Sequence, residues 1–226
     1  MRKTTLLALI SIFICAFQGC DEPRRVKPPK TPPNIKPHAA TRGEQKKDSN
    51  PVVDAARRQI GVTVYYSPKY VRLKYPGGDV PRNRGVCTDV VVRALRDAFG
   101  MDLQKLVRED MDKAFSAYPK IWGLKKPDSN IDHRRVPNLM TYFKRGGFSI
   151  APTKKTSDYL PGDLVTCLVG KRPHIMVVSD RKNSDGVPLV IHNIGAGVQE
   201  EDRLFDFTIT GHFRVKPEIN GERQRR

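Results

Sequence analysis

One stretch constrains this chain more than any other: Gly85-Val86-Cys87-Thr88-Asp89-Val90-Val91-Val92-Arg93-Ala94-Leu95-Arg96-Asp97-Ala98-Phe99-Gly100. Val91, Ala94, Leu95 and Ala98 recur at helical spacing and Gly100 supplies a stop, which predicts an amphipathic helix with Cys87 in its first turn. That turn carries backbone N–H groups with no intrahelical partner and a partial positive charge, and both favour a thiolate. Free cysteines are also among the most readily buried side chains. From this stretch alone, Cys87 reads equally as packing or as a nucleophile.

The beginning of the chain points to a compartment. Met1-Arg2-Lys3 is basic, the apolar run from Leu6 to Phe17 is short for a membrane span, and Gln18-Gly19-Cys20 follows. This is the layout of a secretory signal peptide over residues 1–20. A cysteine directly after the small Gly19 resembles a lipoprotein processing site, which implies lipidation at Cys20, although Phe17 and Gln18 depart from the usual residues. Asp21 resembles the signal that retains such proteins in the inner membrane. The expected location is the periplasm, with the membrane as partner through the lipid. In residues 21–50, Pro23, Pro28, Pro29, Pro32, Pro33 and Pro37 alternate with Lys and Arg, the composition of an extended tether. Residues 51–216 then fit one domain, and 217–226 form a basic tail.

The formal charge is +17, from 41 basic and 24 acidic residues, and the excess persists within 51–226. An electropositive domain favours anionic partners: phospholipid, nucleic acid, or a carboxylate-bearing polymer such as peptidoglycan. An exported chain without a recognition motif argues against nucleic acid. Beyond the leader only Cys87 and Cys167 remain. Two cysteines in an exported protein invite a disulfide, but the surroundings of Cys87 favour reactivity over a staple.

Within the domain, Val52 to Ile60 reads as a helix, Val62 to Tyr66 as a short strand, and Pro76 to Arg84 as a turn-rich loop leading to Cys87. Asp102 to Val107, Met111 to Phe115 and Leu139 to Lys144 read as further helical segments. The last third changes character. Leu164 to Val169, His174 to Val178, Leu189 to Asn193, Phe205 to Ile209 and His212 to Val215 read as strands joined by hairpin-length loops. Helices first and antiparallel strands later give an α+β fold. By strand alternation His174 shares a face with Met176 and Val178, and His192 with Val190, so the two imidazoles are expected side by side, facing a helix across the core. A thiol at a helix start, an imidazole to take its proton and a third polar group to orient that imidazole are what nucleophilic catalysis needs.

That order of residues resembles the NlpC-type papain-like cysteine peptidases of bacterial cell walls. More closely, most of residues 52–215 resembles a bacterial family of unknown function, DUF 1287. The phrases carrying that likeness are Tyr75-Pro-Gly-Gly-Asp-Val-Pro81, Gly85-Val-Cys-Thr-Asp-Val-Val91, Asn130-Ile-Asp-His-Arg-Arg-Val-Pro-Asn-Leu139, Pro161-Gly-Asp-Leu-Val165 and His192-Asn-Ile-Gly195. The peptidase resemblance implies an N-terminal helical layer packed on a C-terminal sheet, with Cys87 as nucleophile, His174 as base and His192 as orienting residue. It departs from that pattern where Val86 replaces the usual Asp before the cysteine and Asp89 follows it instead.

The expected activity is an exported hydrolase cutting an amide, in peptidoglycan stem peptides, with no metal or cofactor and as a monomer. Cys87 would attack as a thiolate paired with an imidazolium at His174. Its own backbone N–H, with a hydroxyl from Tyr65 or Tyr66, would stabilise the oxyanion. Arg84, with Arg82, Arg134 and Arg135, would meet substrate carboxylates, and Asp89 would contribute to substrate binding. The rivals are an acyltransferase on the same fold, a lipid-anchored cell-wall-binding module with a dormant cysteine, and a zinc site from Cys87, His174 and His192.

Overall fold

The computed structural model describes residues 50–216. The expected signal peptide with Cys20, the expected tether up to residue 49 and the expected tail at 217–226 lie outside the described residues. No helix among the described residues is long and apolar enough to cross a membrane.

Helix α1 (Pro51–Arg57) starts at Asn50, whose side chain accepts from the Val52 and Val53 N–H groups and donates to the Pro161 carbonyl. Asn50 therefore already belongs to the domain. After turns at 58–62 come two two-residue strands, β1 (Tyr65–Tyr66) and β2 (Arg84–Gly85), paired in parallel. The expected strand from Val62 is thus only two residues long. Helix α2 (Cys87–Phe99) has the expected bounds and ends at Gly100, whose φ of 67° is left-handed backbone that favours glycine. Helix α3 (Leu103–Ala114) is continuous where one or two segments were expected, and its Asp102 cap accepts from the Gln104 N–H. Two 3-10 turns (Phe115–Ala117 and Asp132–Arg134) precede α4 (Val136–Arg145).

The remaining strands are β3 (Ser149–Ile150), β4 (Leu164–Val169), β5 (Arg172–Lys182), β6 (Pro188–Asn193), β7 (Val198–Glu201) and β8 (Thr208–Phe213). They form one antiparallel sheet in the order β3-β8-β4-β5-β6-β7. The architecture is α+β, with helices preceding an antiparallel sheet as expected. Strand β7 was not expected, and residues 205–207 precede β8 instead of forming a strand.

Alternation along the strands builds two cores. Leu164, Ile175, Val177, Ile191 and Phe213 join Val53, Val91, Leu95, Leu103 and Leu139 of the helices. The opposite face gathers Val165, Cys167, Met176, Val178 and Val190 under Tyr159 and Leu204 from the flanking loops. Two ionic clusters fix the segments flanking these layers. Arg93, fully buried in α2, donates to both Asp79 oxygens, to Thr63 and to the carbonyls of Val80 and Arg84, which fixes the loop before α2. On the sheet, Asp163 accepts from Arg214, from the Leu160 N–H and from buried His212, on which Tyr159 stacks.

Candidate active site

Cys87 is the first helical residue of α2 and only 4% exposed. The carboxylate of Asp89 accepts from the Val86 N–H at 2.6 Å, closing the first turn from within. Asp89 is in turn gripped at both oxygens by Arg134, at 2.8 and 2.9 Å, and Arg134 also donates to the carbonyls of Ser67 and Lys69. Thr88 donates to the Arg134 carbonyl. The helix start, the 67–69 loop and the 132–134 turn are therefore one unit. Asp89, expected at the substrate, is instead saturated internally.

The sulfur meets the sheet at β5. The backbone N–H of Ile175 reaches it, which places Sγ one peptide unit from His174. At this end the last ladder pair between β5 and β6 is Val177 with Ile191. Beyond it the two imidazoles bridge the strands, with His174 Nε2 and His192 Nδ1 2.8 Å apart. The side-by-side expectation holds. The pair nevertheless belongs by alternation to the face of Met176, Val178 and Val190 and does not look at a helix across the main core. His192 Nε2 lies 3.0 Å from Oε2 of Glu201, and Arg203 lies 3.4 Å from the same oxygen.

Sequence reasoning missed Glu201. Glu is a poor strand former, and Val198-Gln-Glu-Glu is short and acidic, so β7 left little trace. The signal was the turn Gly195-Ala196-Gly197. Gly197 has a φ of 85°, and a Cβ there would lie 2.7 Å from the Thr63 carbonyl oxygen, so only glycine allows the hairpin to close against residue 63. The Val198 N–H donates to that carbonyl, and Asn193 donates to the Gly85 carbonyl just before α2.

Burial decides the protonation states. It pushes the Cys87 thiol up to about 11, with the nearby charge of Asp89 adding to the push, and the N–H groups of Ile175, Thr88 and Cys87 offset this only in part. Burial and then the His192 charge push His174 down to about 3. Burial also lowers His192, against the pull of Glu201. Burial therefore works against the expected thiolate–imidazolium pair in the free protein and favours a neutral thiol beside a neutral imidazole.

A cavity of about 300 Å³ opens at Cys87, lined by Val86, Ile121, Trp122, Ile131, Val136 and Pro173 among others. Tyr66 also lines it, and its hydroxyl is held above the usual phenol range, mainly by burial and then by the neighbouring Cys87. Tyr65 is exposed and does not line the cavity. Arg84 is exposed too, bonded to Asn83, and does not line it. Arg134 and Arg135 do line it, but Arg134 is neutralised by Asp89. Arg135 is paired with Asp132 and lies 4.2 Å over the Trp122 ring. The cavity is therefore an apolar slot with compensated cations, in place of the expected carboxylate-receiving cluster. Cys87 and Cys167 are both free and buried. Among the described residues no group of three or more His, Cys, Asp or Glu is arranged to hold a metal ion.

Residues 53–215 match the family described as "Domain of unknown function (DUF1287)". A curated relative from Escherichia coli (strain K12), described as uncharacterized protein YijF, is 52% identical over 209 residues, covering 92% of this chain and 96% of that protein.

Proposed function

The chain belongs to the DUF1287 family, and from that premise we propose that it is an exported cysteine hydrolase of the NlpC-type papain-like class. Its substrate on this reading is an amide in the peptide stems of peptidoglycan. The observation that carries the reading is one line of groups: a buried cysteine at a helix start, opening onto a cavity, one peptide unit from a histidine that is hydrogen-bonded to a second histidine.

The mechanism follows from the neutral resting state. The substrate enters the apolar slot with a small uncharged side chain, such as an alanine methyl, against Val86, Trp122 and Val136. Cys87 attacks the carbonyl carbon as its proton passes to His174, so the ion pair forms during attack and does not precede it. The oxyanion receives the Cys87 backbone N–H and the Tyr66 hydroxyl, each such donor being worth about 3 kcal/mol. His174 then gives its proton to the leaving amine, and water, deprotonated by His174, resolves the thioester. The basic domain suits an anionic polymer, and a lipid at Cys20 with the proline-rich tether would hold the domain near the wall.

Purified muropeptides incubated with the protein test this. Wild type releases a new amine and carboxylate, read as products by mass spectrometry, and Cys87→Ala releases none. Equal cleavage by Cys87→Ala ends the reading.

A further inference from the structure

We propose that Glu201 is a positioning residue that sets the tautomers of both active-site histidines and so decides which nitrogen of His174 serves as the base. The inference rests on the hydrolase reading for its catalytic consequence, but the tautomer assignment needs only the two hydrogen-bond distances and neutral rings.

The hydrogen-bond chain allows one solution. An ionised carboxylate only accepts hydrogen bonds, so the 3.0 Å contact from Glu201 Oε2 requires a proton on His192 Nε2. A neutral imidazole carries one proton, which makes His192 Nδ1 an acceptor. The 2.8 Å contact then requires a proton on His174 Nε2. The only lone pair left on His174 is at Nδ1, the ring nitrogen nearest its own backbone. The sulfur of Cys87 sits at that backbone, on the Ile175 N–H. Each assignment forces the next, from the strand β7 carboxylate to the base. Burial keeps both rings neutral, so the argument holds near pH 7.

The charged groups around the chain agree. His192 faces His174 from β5 and Glu201 from β7, and Arg203 pairs with the same Glu201 oxygen at 3.4 Å. Glu201 does not line the cavity at Cys87, and its contact toward the site is the one to His192. Without Glu201, His192 is free to carry its proton on Nδ1. It would then accept nothing from His174, and the proton of His174 could move to the nitrogen that must be empty.

The test is nitrogen-15 NMR of the full-length protein with labelled histidine imidazoles, five in all, assigned by single His→Gln variants. Wild type should show His174 and His192 as neutral Nε2–H tautomers at pH 7. In Glu201→Ala, both should shift toward mixed or Nδ1–H forms, and kcat should fall on the order of 10- to 100-fold with KM unchanged, a milder version of the roughly 10⁴-fold loss when a directly bonded orienting carboxylate is removed. The isosteric Glu201→Gln, which keeps the packing, should show the same mixed tautomers to a smaller degree. Two results overturn the proposal: unchanged tautomers in both variants, even if turnover falls, or a wild-type His192 protonated on Nδ1. If wild type turns over no amide, the hydrolase reading fails and the tautomer spectra alone decide this inference.

Discussion

Arg134→Met should expose how the nucleophile's helix is anchored. Arg134 grips both oxygens of Asp89, and the two side chains are 1% and 4% exposed. After the change Asp89 keeps only the Val86 N–H, so a nearly solvent-free carboxylate loses its counter-charge. Breaking a buried pair from one side costs about 3–5 kcal/mol. For a domain whose total stability is about 5–15 kcal/mol, that is a large share. With a urea slope of about 2 kcal/mol per M, the unfolding midpoint should fall by about 2 M with the slope unchanged. The double variant Asp89→Asn/Arg134→Met removes the orphaned charge, so it should lose clearly less than the two single losses combined. An exposed control, Arg181→Met, should cost about 1 kcal/mol or less. A loss below about 1 kcal/mol in Arg134→Met, or strict additivity in the double variant, would refute the reasoning.

Acid should destabilise the protein early. Folded His133 is pushed down to about 4 and His174 to about 3, mainly by burial, against about 6.5 unfolded. Below about pH 6.5 the unfolded chain binds more protons, so stability is fully present above that pH and falls by about 1.4 kcal/mol per pH unit for each histidine until the folded values are reached. Urea midpoints at pH 7 and pH 5 check this, and equal midpoints would contradict it. Iodoacetamide modification of Cys87 should accelerate steadily from pH 6 to pH 9 because burial holds the thiol protonated; a plateau below pH 7 would instead reveal a preformed ion pair. Trp122→Ala removes one aromatic wall of the cavity and should lower kcat/KM about 10- to 100-fold, as loss of about 1.5–3 kcal/mol of apolar contact implies. Cys87 alkylation should be unchanged in that variant, and unchanged kcat/KM would remove Trp122 from substrate contact.

Much of this framework is legible in the residues. The Val91, Ala94, Leu95 spacing and the Gly100 stop give α2 its bounds, and strand alternation pairs the two histidines before any coordinates are known. Four features are not legible, each for a physical reason. Asp89 looks like a free acid two residues after the nucleophile, but its partner Arg134 is 45 residues away in sequence. The arginines look like a carboxylate receptor because sequence shows charge without compensation. The thiolate expectation weighs the helix N-terminus but not the desolvation that tertiary packing imposes. Glu201 sits in a four-residue acidic strand whose pairing with β6 depends on a tight glycine turn.

The most direct measurement of the central claim is the intact mass of the protein after rapid acid quenching with a stem-peptide amide. A hydrolase working through Cys87 should show a transient mass increase equal to the acyl fragment. The increase should map to the peptide containing Cys87 and be absent from Cys87→Ala. Product release without any such adduct, or an adduct on another residue, would contradict the account.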